Sequence, residues 1–415
     1  MAMPQNLLDY QFDTFEYVCD ALSITCDSKV YPIEDVQITG LYLERNYDTD
    51  HLPVFMIQLI IGDELYYNIC NHHDSTTFTM KLKSQISVSE TEKTAGSLYI
   101  NGTFVPMNVE SSPYHSQQLY DDIKEKSTAG EGSMLTNFSN ARTFILCSRQ
   151  QLNASKKVCN YVLSSANMLD AVSVVLSQSG AVKPLVSPFD NSTSYSELVL
   201  LPQQTIPQLK YLNSFFGFYK EGAQIFFDLN YTYILRNTAK CTAYVTNEIQ
   251  TVVFCVYDTS HGETAKIGSK ADLPTKTAYI GLSSINCMVE NLSTTANEYM
   301  GTNATIINND GNVSTATSGT GNAYNVLSVT SHNNYLSSEL SLRMKELSCV
   351  VYLNLQNVDL NLLTPNKTFR IMSTDTNITK KVTGLFRLVS TQTSFIKSGN
   401  KFISNTVVQL KRTDT

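Results

Sequence analysis

Asn167-Met-Leu-Asp-Ala-Val-Ser-Val-Val-Leu-Ser-Gln-Ser-Gly180 opens the stretch whose reading decides the fold, and the stretch runs on to Arg236. Asn167 is placed to cap a helix, with Asp170 three positions on in capping-box position. Met168, Leu169, Val172, Val175 and Leu176 recur on one face, and Gly180 ends the helix. A polar, proline-broken link follows through Pro184, Pro188 and Asp190 to Ser196. Thr205 is placed to cap a second helix with Pro207 in its first turn. Ile206, Leu209, Leu212, Phe216 and Tyr219 give that helix a buried face. Gly217 and Gly222 break it, and Gln224 to Leu235, rich in aromatic and β-branched residues, reads as a strand. Nothing here is a reactive constellation; the stretch is a scaffold.

On either side the chain reads as β. Val54–Ile61 and Leu65–Cys70, joined by Gly62-Asp63, predict a hairpin, and Leu98–Val105 predicts a second one turning at Asn101-Gly102. Phe78-Thr-Met-Lys-Leu-Lys83 alternates cleanly, so one face is wet. Tyr10–Tyr17, Phe144–Cys147, Lys240–Val245, Thr251–Tyr257, Val350–Leu355 and Phe369–Met372 are further strands. Leu385–Phe395 and Lys401–Lys411 form a long closing hairpin around Gly399. Two polar excursions, 259–277 and 291–322, read as long loops, of the kind that is functional or mobile. The plan is α+β, mostly β: a first β unit over 1–154, an α/β insert over 155–239 and a second β unit over 240–415.

Composition narrows the function classes. Of 415 residues only 16% are charged, against about 25% in an average protein. Asn, Ser and Thr fill the gap, a surface suited to β-rich assemblies. The net charge of −7 and the absence of a basic cluster exclude a phosphate-driven nucleic-acid binder. Nine cysteines, an odd number without a CxxC pair, predict buried free thiols and a reducing compartment rather than a disulfide framework. The start lacks a basic and an apolar region, so no signal peptide is expected, and no apolar run approaches the length of a membrane span. Ten Asn-x-Ser/Thr sequons are expected by chance in so Asn- and Thr-rich a chain.

Candidate reactive sites are weak. Cys70, His72, His73 and Asp74 lack four-ligand spacing, and two successive histidines on a strand point opposite ways. Asp121-Asp122 and Glu90/Glu92 are sequence neighbours, which seldom span a glycosidase cleft. Ser318-Gly-Thr-Gly321 lacks the Lys-Ser/Thr ending of a nucleotide loop, and no nucleophile elbow occurs. His51, His115, His261 and His332 fall in polar stretches. Tyr- and Phe-rich strands read as core before they read as a sugar platform. No catalytic, cofactor-binding or metal-ligating residue is assigned.

The order of elements resembles a family: the baseplate hub proteins of contractile phage tails and contractile injection systems, kin to the tail protein D family and to the N-terminal half of type VI spike proteins. The resemblance rests on the helix Asn167–Gly180, the helix Ile206-Pro-Gln-Leu-Lys-Tyr-Leu-Asn213, the bulky-Gly-bulky run Phe216-Gly-Phe-Tyr219 and the Gly-turn strand Gly222-Ala-Gln-Ile-Phe-Phe227. At the C-terminal side it rests on Pro365-Asn-Lys-Thr-Phe-Arg-Ile371 and Gly384-Leu-Phe-Arg-Leu388 followed by the closing hairpin. Together these cover about a third of the chain. The resemblance implies two tube-like antiparallel barrels flanking the insert, and a homotrimer whose six barrels form a pseudo-sixfold ring. Such a ring adapts a hexameric tail tube to a trimeric central spike. Baseplate wedge proteins and the tape measure protein complete the set of partners. The spike is expected as a separate chain, and DNA passes the lumen during genome ejection without specific binding. Three copies at −7 each carry −21, which suits passage of an anionic polymer. The expected site is the tail baseplate of a virion assembled in host cytoplasm, with no enzyme activity, no cofactor and no membrane insertion. A virion receptor-binding adhesin and a cell-wall hydrolase are the rival readings.

Overall fold

The computed structural model describes residues 11–48, 52–87, 96–108, 139–180, 183–219, 223–229, 231–236, 248–257, 265–288, 302–307, 313–318, 326–328, 349–374, 382 and 384–413. The first region holds β1 (Phe15–Cys26), β2 (Lys29–Pro32), β3 (Ile38–Asn46) and β4 (Val54–Gly62). It continues with α1 (Asp63–Asn71), β5 (Thr77–Ile86), β6 (Ser97–Asn108) and β7 (Ser139–Ser148). The middle region holds α2 (Arg149–Lys156), β8 (Val158–Ala166), α3 (Met168–Ser179), β9 (Pro184–Val186) and β10 (Tyr195–Gln204). It ends with α4 (Thr205–Phe216), β11 (Ala223–Phe227) and β12 (Thr232–Arg236). The last region opens with β13 (Thr251–Val256), β14 (Gly268–Asp272), β15 (Thr277–Leu282) and β16 (Asn286–Met288). Then come β17 (Thr302–Ile307), β18 (Val313–Ser318), β19 (Val326–Ser328), β20 (Val350–Gln356), β21 (Thr368–Ser373), β22 (Phe386–Ser398) and β23 (Lys401–Arg412). The fold is mostly β, as the sequence predicts.

Eight antiparallel strands close into a barrel, in the order β22-β3-β4-β7-β6-β5-β1-β23, with β23 pairing back to β22. Six strands come from the first region and two from the closing hairpin, so the sheet runs across the expected boundaries at 154 and 240. The same hairpin also belongs to the last region. Ser390–Ile396 of β22 pairs with β3, whereas Asn405–Lys411 of β23 pairs with β20 and Phe386 pairs with Phe369 of β21. Beyond β21 the sheet continues through β13 and β15 to β14.

This extension is partly parallel: β13 lies between β15 and β21, parallel to both. The run Val252–Tyr257 is buried throughout, the continuous apolar pattern of a parallel strand covered on both faces. Gly268 and Gly281 face each other across β14 and β15. Gly268 has φ +135°, and a Cβ there would meet Asp13 O at 2.6 Å, because the chain at Asp13 bridges to Ser269.

The helix Met168–Ser179 forms as read. Asp170 N–H donates to Asn167 Oδ1 and Asn167 N–H donates to Asp170 Oδ2, both at 3.0 Å, and Gly180 adopts φ +64°. Leu169, expected on the buried face, is 57% exposed, and Ala171 is buried instead, in a helix packed against α4 and β8. In α4 the cap position falls to Gln204; the Thr205 hydroxyl instead donates to Ala154 O at 3.0 Å, tying α4 to α2.

Four other expectations change. Gly62-Asp63 is a strand-to-helix junction rather than a hairpin turn. Asp63 and Glu64 sit in the first turn of α1, where carboxylates meet the positive end of the helix, while Tyr66 and Ile69 bury three residues apart. Asn101-Gly102 lies inside the unbroken strand β6, held by β5 through Lys81↔Asn101 and Met80↔Gly102. Gln224–Leu235 folds back on itself as β11 and β12, because Asp228 turns the chain: its N–H donates to Tyr231 O at 2.8 Å and its carboxylate accepts from Leu229 N–H at 2.7 Å. The excursions 259–277 and 291–322 contain strands: β14 in the first, and in the second β17 and β18, which pair antiparallel. Lys240–Val245 lies outside the described residues.

Candidate functional site

The barrel interior is packed solid. Along β4, Phe55, Ile57, Leu59 and Ile61 are buried while Gln58 and Ile60 between them face out. From the other strands Phe78, Phe104, Phe144 and Phe395 converge, with ring centroids 5.4 Å apart for Phe55–Phe104 and 5.2 Å for Phe78–Phe144. An eight-stranded barrel is just wide enough for side chains to fill it. At roughly 1.5–3 kcal/mol per buried large apolar side chain, this filling is the main stabiliser of the first region. The barrel is therefore a strut and not a pore.

Two neighbouring ties, on either side of Tyr99, whose ring lies 5.5 Å from that of Tyr17, join the barrel to the rest of the chain. At one, the Asp228 turn of the insert reaches buried Arg45 of β3: Arg45 Nη1 lies 3.7 Å from Asp228 Oδ2, and Tyr47 donates to the same oxygen at 3.5 Å. Arg45 also donates to the hydroxyl of Tyr99 in β6. Burial works against the Arg45 charge, but Tyr99, Asp228 and Tyr47 around it outweigh that and hold it well above its ordinary pKa. Burial pushes the Tyr99 phenol up to about 12. Gln151 of α2 donates to Asp228 O at 2.7 Å, so α2 braces the same turn. At the second tie, the buried Tyr17 hydroxyl donates to Val358 O at 2.8 Å and accepts from Leu360 N–H at 2.9 Å. Asn361 Nδ2 reaches Ser84 Oγ and Ser97 Oγ. Burial depresses the Lys367 amine to about 8, and it donates to Asn361 O and Thr364 Oγ1.

The weak candidates do not gather. His72 and His73 follow the C-terminus of α1 rather than lying on a strand, and His73 Nε2 meets Asp74 Oδ1 at 3.2 Å on the surface. Cys70 is half-buried, with its thiol pushed up by burial. Among the described residues no three His, Cys, Asp or Glu side chains form a group fit for a metal ion. Asp121, Asp122, Glu90, Glu92, His51, His115, His261, His332 and residues 319–321 lie outside the described residues. Cys19, Cys26, Cys70, Cys147, Cys159, Cys255 and Cys349 are free thiols. Sequence reading missed the ribbon of β8 and β10, although Leu198-Val-Leu-Leu201 is a strand-sized apolar run. Its outer face shows Val162 opposite Val199, 64% and 46% exposed. Among the described residues no helix is long and apolar enough to cross a membrane.

Solved structures similar to this one include tail and spike proteins. The tail protein from Neisseria meningitidis MC58 aligns at TM-score 0.50 and 7% identity, over 95% of this chain and 96% of that one. The 43 kDa tail protein of prophage MuSo2 from Shewanella oneidensis gives 0.48 at 10% identity, over 94% and 97%. A half-lidded Francisella PdpA–VgrG complex gives 0.48 at 8% identity, over 97% of this chain but 59% of that one. At such identities the first of these shows a shared fold. No curated protein matches the chain. The family described as Bacteriophage PBS1 gene 109 protein matches residues 22–413, and the chain belongs to that family.

Proposed function

We propose that the chain is a structural hub of a contractile phage tail baseplate, a homotrimer that adapts a hexameric tube to a trimeric central spike. The observation that carries the reading is the fold shared with the Neisseria tail protein along nearly the whole of both chains. Membership of a phage protein family supports a place in the virion. In this reading the regions 1–154 and 240–415 are the two tube-like units of each subunit, 155–239 joins them, and the hairpin β22–β23 is a wall common to both. The filled barrel supports a load-bearing role over an enzymatic one. It also requires the DNA passage to lie between subunits, around the threefold axis, since the interior of the eight-stranded barrel is filled. The partners are two further copies of the chain, the tube, the spike, the wedge proteins and the tape measure protein, assembled in host cytoplasm.

Mass photometry and electron microscopy of the purified chain test this. The expected result is a ring of three 46.2 kDa subunits, alone or on addition of tube or spike protein. A monomer at micromolar concentration that stays a monomer with both partners present, or a ring of any other number, overturns it.

A further inference from the structure

Between the outer surface of β5 and β6, the start of α2, and the residues Lys183, Leu229 and Tyr231 lies a cleft of about 680 Å³. That volume is in the range of roughly 300–1,000 Å³ typical of ligand sites. The chain as a whole is acidic, yet among the described residues no acidic side chain lines this cleft, and Arg149 and Lys183 stand exposed at it. Neither has an ion-pair partner among the described residues. Asn153 adds an amide to the same wall.

The start of α2 is uncapped. Ser148 is the N-cap residue, but its side chain makes no capping hydrogen bond. It is 9% exposed, lines the cleft and has no hydrogen-bond partner among the described residues. Among the described residues the N–H groups of Arg149, Gln150 and Gln151 likewise have no backbone acceptor beyond the helix, and the first N–H groups of any helix have none within it. The free hydroxyl, the positive helix end and two cations converge on one space, an arrangement that receives an oxyanion.

We propose that this cleft binds the carboxylate side chains of an extended acidic peptide segment presented by another polypeptide. One carboxylate sits on the Ser148 hydroxyl and the first N–H groups of α2, and further ones meet Arg149 and Lys183. Nucleic acid is disfavoured because two cations on a chain of net charge −7 are too few to track a phosphate backbone. A neutral glycan is disfavoured because every charged group in the lining is a donor, leaving no carboxylate to accept from sugar hydroxyls. The proposal stands independently of the trimeric hub reading.

The test is fluorescence anisotropy of the full chain with a fluorescein-labelled hexaglutamate peptide, against a hexaglutamine control. Saturable binding is expected for the first and none for the second. The pair Arg149→Gln with Lys183→Gln is expected to weaken it about tenfold or more, and Ser148→Ala about threefold. Arg149→Lys should retain most of it. Lys83→Gln, which removes a lysine paired with Asp20 at 2.7 Å outside the cleft, should change nothing. Near-ultraviolet circular dichroism establishes that each variant is folded. No saturable binding, or a loss below threefold in the Gln pair, overturns the site. Tighter binding of a hexaglucuronate or of an oligothymidylate of equal charge overturns the peptide assignment.

Discussion

At the scale of single residues, the joint between barrel and insert concentrates the electrostatic risk. Arg45 and Asp228 are 5% and 3% exposed, and Arg45 Nε has no partner of its own. Removing one member of a buried ion pair costs about 3–5 kcal/mol, because the other charge is left desolvated, whereas removing both is far milder. Asp228→Ala is therefore expected to lower stability by about that amount in urea titration, with the turn onto Leu229 and Tyr231 also loosened. Arg45→Met combined with Asp228→Asn is expected to cost less than the two single changes added together; strict additivity would show that the two side chains do not interact. Lys367 gives a pH signature. Burial lowers its folded pKa to about 8, against about 10.4 in an unfolded chain. Between those values the unfolded state holds the proton that the folded state has lost, so this residue makes stability rise with pH. Buried thiols act oppositely: burial pushes Cys19 and Cys255 up to about 12, so their share falls once unfolded thiols ionise near about 8.5. Lys367→Met removes only the first effect. The stability difference between wild type and Lys367→Met, followed from about pH 8 to about pH 10, is expected to grow in favour of the wild type; a constant difference would show that the amine does not titrate in that window.

At the scale of elements, what was legible was what is written locally. The capping box at Asn167 and Asp170, the αL glycine at Gly180, the alternation at Phe78–Lys83 and the closing hairpin around Gly399 each depend on residues adjoining in the chain. What was not legible depends on distant neighbours. Asn101-Gly102 has the chemistry of a turn, but pairing with Lys81 and Met80 of β5 there, and with β7 from Phe104 onward, keeps β6 extended. Leu65–Cys70 has the composition of a strand, yet the acidic start at Asp63 and the anchoring of Asp63 by Arg142 at 3.1 Å hold it as a helix. Among candidate site residues, the cleft at α2 gave no signal, because Ser148, Arg149 and Lys183 meet only through the fold. Barrel closure was equally hidden: Tyr17 pairs with Phe402, and nothing near either residue names the other. That closure predicts the behaviour of a fragment. Residues 1–154 supply six of the eight barrel strands and leave β1 and β3 as open edges. The fragment alone is expected to bind a hydrophobic dye and to melt without cooperativity. Co-expression with residues 385–415 is expected to restore a cooperative transition. A cooperative fold of 1–154 alone would show that the hairpin is dispensable.

At the scale of the molecule, the shared hairpin bears on the proposed hub, where it would decide how force travels. A hub that held its two β units on a flexible linker would let the tube and spike ends move apart under load. Here β22 and β23 are simultaneously two staves of the barrel and the core strands of the last region, since β23 pairs with β1, β20 and β22. The barrel is cemented further by Tyr17, whose hydroxyl bonds to Val358 and Leu360 beyond β20. The apolar cores merge accordingly: Phe55 and Phe78 of the barrel belong to one buried cluster with Phe254 and Phe369 of the last region. Neither unit can lose its structure without exposing the wall of the other. Independent domains of this size unfold in separate steps, so the number of transitions is diagnostic. Differential scanning calorimetry of the isolated chain is expected to show both β regions melting in one transition. In hydrogen exchange, the amides of Thr391–Ile396 and Asn405–Leu410 are expected to open only with that global event. Two resolved transitions, with the hairpin amides opening in the earlier one, would mean that the regions are mechanically separate and that the wall between them is not what transmits load.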